Sequence, residues 1–231
     1  MKRTSPLTPD RGGYTLLVLA ILMSSAVASA DDIKSTTSVT APFAPKQDVL
    51  PVPPPKGAIV LFGDKDSTQF LSKTGEAINW PIEKGELVST KGGSNSNHIV
   101  SAVHFRDAVI HVEFMLSPKG SGNSGVYIFN NYETQILDSF GIKGEFNFCG
   151  ALYRKKPPMV NMCIPPLAWQ TYDIEFTAPR FKDGKKVKNA RITTRHNGVL
   201  IHDDFELDKG TGAGGGRPEK AKGQIHLQGH G

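Results

Sequence analysis

The stretch Tyr132-Glu133-Thr134-Gln135-Ile136-Leu137-Asp138 brings two carboxylates and an amide close together. In an extended strand successive side chains point to opposite faces. Glu133 and Gln135 then share one face, and Tyr132, Thr134 and Ile136 share the other. A regular strand would turn Asp138 to the second face, but one bulge between Gln135 and Asp138 returns it beside Glu133. The resulting face reads E-x-Q-x-x-D. Two acids with an amide between them can supply a general base and a general acid, the pair that sugar chemistry needs. A solvated strand face with a polar ladder is the plainer alternative.

Candidate sugar contacts surround this stretch. Ser121-Gly122-Asn123-Ser124-Gly125-Val126-Tyr127 precedes it. The glycines permit a sharp turn, from which Asn123 either holds a hydroxyl or caps the turn itself. Tyr127 closes the block as a further polar contact. Trp169 opens another strand-like run and could stack on a sugar ring, although a tryptophan there is also a normal core residue. His226, Gln228 and His230 alternate along the last segment and make a polar rim to a cleft. Two histidines without a clear third ligand do not define a metal site, so none is assigned. The chain has no G-x-S-x-G elbow, no Cys–His pair in a catalytic context and no phosphate loop, and no cofactor is implied.

The elements that must position these residues read as strands. Residues 108–116 alternate apolar Ala108, Ile110, Val112, Phe114 and Leu116 with Val109, His111, Glu113 and Met115. Further strands are expected over 58–62, 126–129, 132–138, 169–176, 191–195, 199–203 and 224–228. Asn197-Gly198 lies between two of them, and this dipeptide accepts the positive φ that a two-residue hairpin requires. No segment carries a helical stripe of several turns. Many short strands with Gly and Pro turns predict an all-β sandwich or barrel.

The N-terminus reads as an export leader. Lys2, Arg3 and Arg11 precede an apolar run from Leu16 to Met23, and Ala28-Ser29-Ala30 forms an A-x-A site before Asp31. The apolar run is shorter than the roughly 20 residues of a membrane span. Residues 1–30 are therefore expected to be a signal peptide, making the protein periplasmic or extracellular, with no membrane span in the mature chain. Residues 31–56 are rich in Ser, Thr and Pro and predict an extended tether, unless Leu50 or Val52 packs on the domain as an arm. Residues 57–231 suit one domain. The formal charge is +5, of which the leader contributes +2. The remaining basic residues are not interleaved with aromatics on a nucleic-acid motif, so nucleic acid is not an expected partner. Cys149 and Cys163 are the only cysteines. An even count in an exported chain predicts a disulfide, which would close a loop of about 15 residues and contribute roughly 3 kcal/mol.

Taken in order, the blocks Asn123-Ser124-Gly125-Val126-Tyr127, Tyr132-Glu133-Thr134-Gln135-Ile136-Leu137-Asp138-Ser139 and Leu227-Gln228-Gly229-His230-Gly231 are specific together. With Leu61-Phe62-Gly63-Asp64, Cys149-Gly150-Ala151-Leu152-Tyr153 and Trp169-Gln170-Thr171-Tyr172-Asp173, they resemble the 3-keto-disaccharide hydrolase domain family over nearly all of 57–231. The resemblance implies a concanavalin A-like jelly-roll β-sandwich of two antiparallel sheets, and kinship with glycosidases that carry E-x-D-x-x-E on a bulged strand. It sets Glu133 at the nucleophile position, Gln135 at the helper aspartate and Asp138 at the acid/base. The substitutions at Gln135 and Asp138 depart from double displacement and fit elimination from a 3-keto sugar followed by hydration. The implied substrate is a 3-keto-glucoside or disaccharide. Family members continue past the L-Q-x-H-G block into a further strand, so the domain is expected to extend beyond Gly231. A lectin-like binding module and a structural domain on an exported scaffold are the rival readings, since the sandwich alone does not fix function.

Overall fold

The computed structural model describes residues 14–22, 50–63, 65–90, 97–120 and 122–229. In chain order the strands are β1 (Tyr14–Leu22), β2 (Phe70–Ser72), β3 (Ile82–Glu83), β4 (Glu86–Ser89), β5 (Ile99–Ser101), β6 (Ala108–Met115) and β7 (Ser124–Ile128). They continue with β8 (Tyr132–Ile136), β9 (Trp169–Thr177), β10 (Arg180–Lys182), β11 (Lys185–Lys188), β12 (Ala190–His196), β13 (Val199–Leu207) and β14 (Ile225–Leu227). A 3₁₀ turn over Gly212–Gly216 lies between β13 and β14. Among the described residues no helix is long and apolar enough to cross a membrane.

Two antiparallel sheets form the sandwich. One runs β13-β12-β9-β6-β1-β4-β3 and the other β2-β5-β14-β7-β8, and β10-β11 is a separate hairpin. Period-two alternation decides which side chains lie between the sheets. Ile110, Val112 and Phe114 on β6, and Tyr172, Ile174 and Phe176 on β9, point inward and are essentially fully buried. Val126, Ile128, Tyr132, Ile136, Ile225 and Leu227 meet them from the five-stranded sheet. Aromatic contacts tie the layers: Phe129 packs edge-on to Phe176 with centroids 5.2 Å apart, and Tyr132 lies 5.4 Å from the same ring. The β12–β13 hairpin turns on Asn197 and Gly198, both at positive φ, with His196 opposite Val199.

Several expectations change. The run 58–62 makes a single bridge residue at Ile59 in place of a strand, and Leu61 and Phe62 are fully buried as loop side chains. The apolar stretch read as the core of a leader forms β1, paired to β6 on one side and to β4 on the other. The end of the tether docks on the domain: Val52 is buried, and its N–H donates to Glu113 Oε1 at 2.6 Å. The expected disulfide is not formed, because Cys149 and Cys163 are free thiols outside bonding distance. The two thiols remain hydrogen-bonding neighbours, and each also has a further contact. Cys149 Sγ contacts the Tyr172 hydroxyl at 3.1 Å, while Cys163 Sγ lies 3.7 Å from the Leu137 carbonyl.

Candidate active site

The outer face of the five-stranded sheet carries the polar residues. Inward packing of Tyr132, Ile136, Val126, Ile128, Ile225 and Leu227 forces the alternate positions outward. One rung across the sheet then reads Leu71, Val100, His226, Tyr127 and Glu133. The next sets Gly125 opposite Gln135, and Gln228 N–H donates to the Gly125 carbonyl at 3.0 Å. Glu133, Gln135, Tyr127, His226 and Gln228 therefore share one face.

Glu133 is 2% exposed. Its backbone is pinned on both sides, with its N–H donating to Thr211 Oγ1 at 2.8 Å and its carbonyl accepting from Tyr153 N–H at 3.2 Å. Burial pushes its carboxyl up to about 7, against the opposing pull of the Tyr127 hydrogen bond and the Arg217 charge. One oxygen, Oε2, is buried and has no hydrogen-bond partner. Burial, reinforced by the Glu133 charge, pushes the Tyr127 hydroxyl upward, so it remains a proton donor. The Gln135 amide, with its nitrogen turned to the available acceptors, donates to the Ser124 carbonyl at 2.8 Å and to Glu133 Oε1 at 3.1 Å. In that orientation its oxygen lies 3.2 Å from the Asn123 side chain. Burial, followed by the charges of Lys73, Arg217 and Lys220, holds the His226 imidazole down at about 4, so it is neutral. His226 Nδ1 and Gln228 Oε1 are buried without partners, like Glu133 Oε2. Buried polar atoms normally find partners, so three orphaned atoms on adjoining strands of this face suit it to a polar ligand.

The other sequence candidates are placed differently. Asp138 lies beyond the end of β8 at Ile136, where its Oδ1 accepts from Phe140 N–H at 3.3 Å as a turn cap. Trp169 starts β9 in the opposite sheet, beside Met115, and packs against the core. His230 lies outside the described residues.

Sequence reasoning passed over the loop that buttresses the site. Gly210, Gly212 and Gly214 are pressed so closely that an added Cβ would stand 2.5 Å from Gly214 O, 2.4 Å from the Tyr153 ring and 2.1 Å from Asn131 O, respectively. This close packing brings Thr211 under Glu133 and carries Arg217 to Asn130, whose carbonyl and side-chain oxygen accept from Nη1 at 2.7 and 2.6 Å. The glycine run itself was the available signal.

A second buried polar group occupies the outer face of the other sheet. His111 Nδ1 contacts Asp173 Oδ1 at 2.6 Å, and Nε2 contacts Glu113 Oε1 at 3.3 Å. Burial alone would lower the imidazole, but the hydrogen bonds and charges of Asp173 and Glu113 prevail and raise it to about 9. Because Glu113 also accepts from Val52, this cluster is what fastens the N-terminal arm.

The fold has solved relatives. A Parabacteroides distasonis protein provisionally named a glycosyl hydrolase, solved at 2.13 Å, superposes with a TM-score of 0.69 at 31% identity over 78% of this chain and 79% of that one. A second protein from the same organism, also provisionally named a glycosyl hydrolase, gives 0.56 at 20% identity over 75% of this chain and 87% of that one, a likeness of fold. Among proteins with a curated description, none matches the chain. Residues 57–231 match the 3-keto-alpha-glucoside-1,2-lyase-like domain, so the chain belongs to that family, whose members at the coarse level are carbohydrate-cleaving enzymes.

Proposed function

We propose that the protein cleaves the glycosidic bond of 3-keto-glucosides or 3-keto-disaccharides by elimination and then hydration. Glu133 carries this reading: a buried carboxylate on the polar face, with one oxygen unpartnered and a pKa near neutrality. A general base works best when its pKa lies close to the operating pH. A ketone at C3 acidifies the C2 proton. Glu133 takes that proton, the electron pair forms C1=C2, and the C1–O bond breaks toward the leaving oxygen. The proton returns to that oxygen, released as an alcohol. Water then adds across the enone, hydroxyl to C1 and hydrogen to C2, giving the free 3-keto sugar. Tyr127 holds Glu133 and supplies a donor, while Gln135, Asn123 and Gln228 offer amides to sugar hydroxyls. Asp138 is the second candidate acid.

Export belongs to the same proposal and rests on the basic start, the apolar run and the A-x-A site. N-terminal sequencing of protein recovered outside the cytoplasm is expected to begin at Asp31.

The test is aglycone release, followed by NMR, from a 3-keto-glucoside and its unoxidised parent. Release from the keto sugar alone is expected, and Glu133→Gln should lower the rate by about 100-fold or more. An undiminished rate in Glu133→Gln would sink the assignment. Saturable binding of both sugars with release from neither would make the domain a lectin-like module.

A further inference from the structure

We infer that Tyr153 is the acid of the cleavage, delivering its phenolic proton to the glycosidic oxygen as that oxygen leaves C1. The inference rests on the hydrolase reading and gives a role to the Cys149-Gly150-Ala151-Leu152-Tyr153 block, which the base and the sugar contacts leave unused. This block runs antiparallel along the outer edge of β8. Leu152 bridges Thr134, Gln135 N–H donates to the Ala151 carbonyl at 2.9 Å, and Tyr153 N–H donates to the Glu133 carbonyl at 3.2 Å. Tyr153 is therefore opposite Glu133, the last residue in this ladder before the chain turns at Arg154. Leu152 points into the core, so alternation sends the Tyr153 side chain to the polar face. On the other side of Glu133, Tyr127 is its opposite residue on β7. The carboxylate thus stands between two phenols, since directly opposed residues share a face with Cβ atoms about 5 Å apart.

Of the phenols near the site, Tyr153 is the one available to substrate. Tyr132 and Tyr172 turn into the core and donate their hydroxyls to Glu219 and to the Gln135 carbonyl. Tyr127 is buried and hydrogen-bonded to Glu133. Tyr153 is half-buried, and no hydrogen bond among the described residues engages its hydroxyl. Its ring is nonetheless fixed. A Cβ on Gly212 would stand 2.4 Å from ring Cδ1 and 3.0 Å from Cε1, and Arg154 Cζ lies 5.2 Å from the ring centroid. Gly212 follows Thr211, whose hydroxyl accepts from Glu133 N–H at 2.8 Å, so one glycine-packed loop holds base and acid together. Asp138, in contrast, lies past the end of β8 and caps the Phe140 N–H.

These two groups complete the reaction without a further acid or base. Glu133 takes the C2 proton, and the pair it leaves behind forms C1=C2. The C1–O pair departs with the glycosidic oxygen, which takes the Tyr153 proton. An alcohol is released, and the enone remains with a neutral Glu133 and a tyrosinate. Water then adds. The tyrosinate takes one of its protons as the water oxygen bonds to C1, and the C1=C2 pair takes the Glu133 proton at C2. Both side chains return to their starting forms.

The experiment is single-turnover release, with the full chain in excess, from matched 4-nitrophenyl, phenyl and methyl 3-keto-glucosides. The leaving alcohols fall in acidity in that order, so the need for a donated proton rises along the series. Tyr153→Phe keeps the ring and its Gly212 contact and should melt with the parent. Its release of 4-nitrophenol is expected to stay within about threefold of the parent, while its release of methanol falls by about 100-fold or more. Asp138→Asn should show no such trend. A loss in Tyr153→Phe that is equal for all three substrates overturns the role, because the hydroxyl would then serve binding or the enolate and not the leaving oxygen. So does a parent-like rate throughout, or a trend that appears in Asp138→Asn instead. If the parent itself releases none of the three, the hydrolase reading fails and this role fails with it, whereas the other outcomes leave that reading standing.

Discussion

Gly125 and Glu133 meet on adjoining strands so closely that a Cβ on the glycine would stand 2.5 Å from Glu133 Oε1. The absence of a side chain on β7 is what lets the carboxylate lie flat between Tyr127 and Gln135. Gly125→Ala must push the carboxylate away, since the clash falls on the tip of a flexible side chain and not on backbone. Stability should change little, because alanine also reduces unfolded-state entropy. The expected outcome is a kcat reduced by about 10- to 100-fold with a melting temperature within a few degrees of the parent. A parent-like kcat would show that the position of the Glu133 carboxylate is not critical.

Glu133 should also leave a mark on pH profiles. As a base it acts only when ionised, so kcat/KM should fall on the acid side with an apparent pKa of about 7. Stability moves the other way. The folded pKa lies above the unfolded value of 4.5, so the favourable contribution is complete below 4.5 and is lost as pH rises through about 7. Glu133→Gln removes that loss and should stabilise the protein at pH 8, by at most about 3 kcal/mol, while having little effect at pH 4. Denaturant titrations of both proteins at the two pH values check the sign.

The His111 cluster makes a separate prediction on the opposite face. His111 is held at about 9, above its ordinary 6.5, so its contribution to stability is complete below 6.5 and fades as pH rises through 9. Glu113→Gln keeps the shape but weakens the grip on both His111 and Val52. The Val52 amide, bonded to Glu113 Oε1, should exchange faster in the variant. The arm should be cut sooner in limited proteolysis, with activity on the far face unchanged. His111→Ala leaves two buried carboxylates without their cation and should cost about 3–5 kcal/mol.

The sequence revealed most where local pattern and burial agree. Strict alternation on β6 set its faces, and Asn197-Gly198 located a hairpin by its need for positive φ. The Glu133–Gln135 pairing followed from the same period-two rule. Asp138 did not, because the bulge that would return it to Glu133 is absent and β8 ends at Ile136. Whether a strand bulges or stops depends on what packs beyond it, here the 137–163 loop with its two thiols, and that contact is not local. Trp169 failed for a related reason: its strand was read correctly, but strand order assigns it to the other layer. Arg217 is distant in sequence from Glu133, and a glycine-packed loop brings its charge within range, so spacing alone could not join them.

Residues 14–22 present the sharpest conflict between local pattern and fold. As a leader they would be removed after Ala30, yet as β1 they fill the space between β6 and β4. Without β1, one edge of β6 would lose its ladder, and unpaired strand edges recruit other strands. In an antiparallel strand alternate residues bond to opposite neighbours, so only the β6 amides facing away from β9 would be affected. Hydrogen exchange on the full chain and on residues 31–231 should therefore differ by alternation: every second amide of β6 loses protection in the shorter chain, while those bonded to β9 keep theirs. A synthetic peptide of residues 14–22 added to the shorter chain should restore the lost half. Identical protection in both chains, with no response to peptide, would show that the leader segment is not part of the sheet and that the edge of β6 is protected by other means.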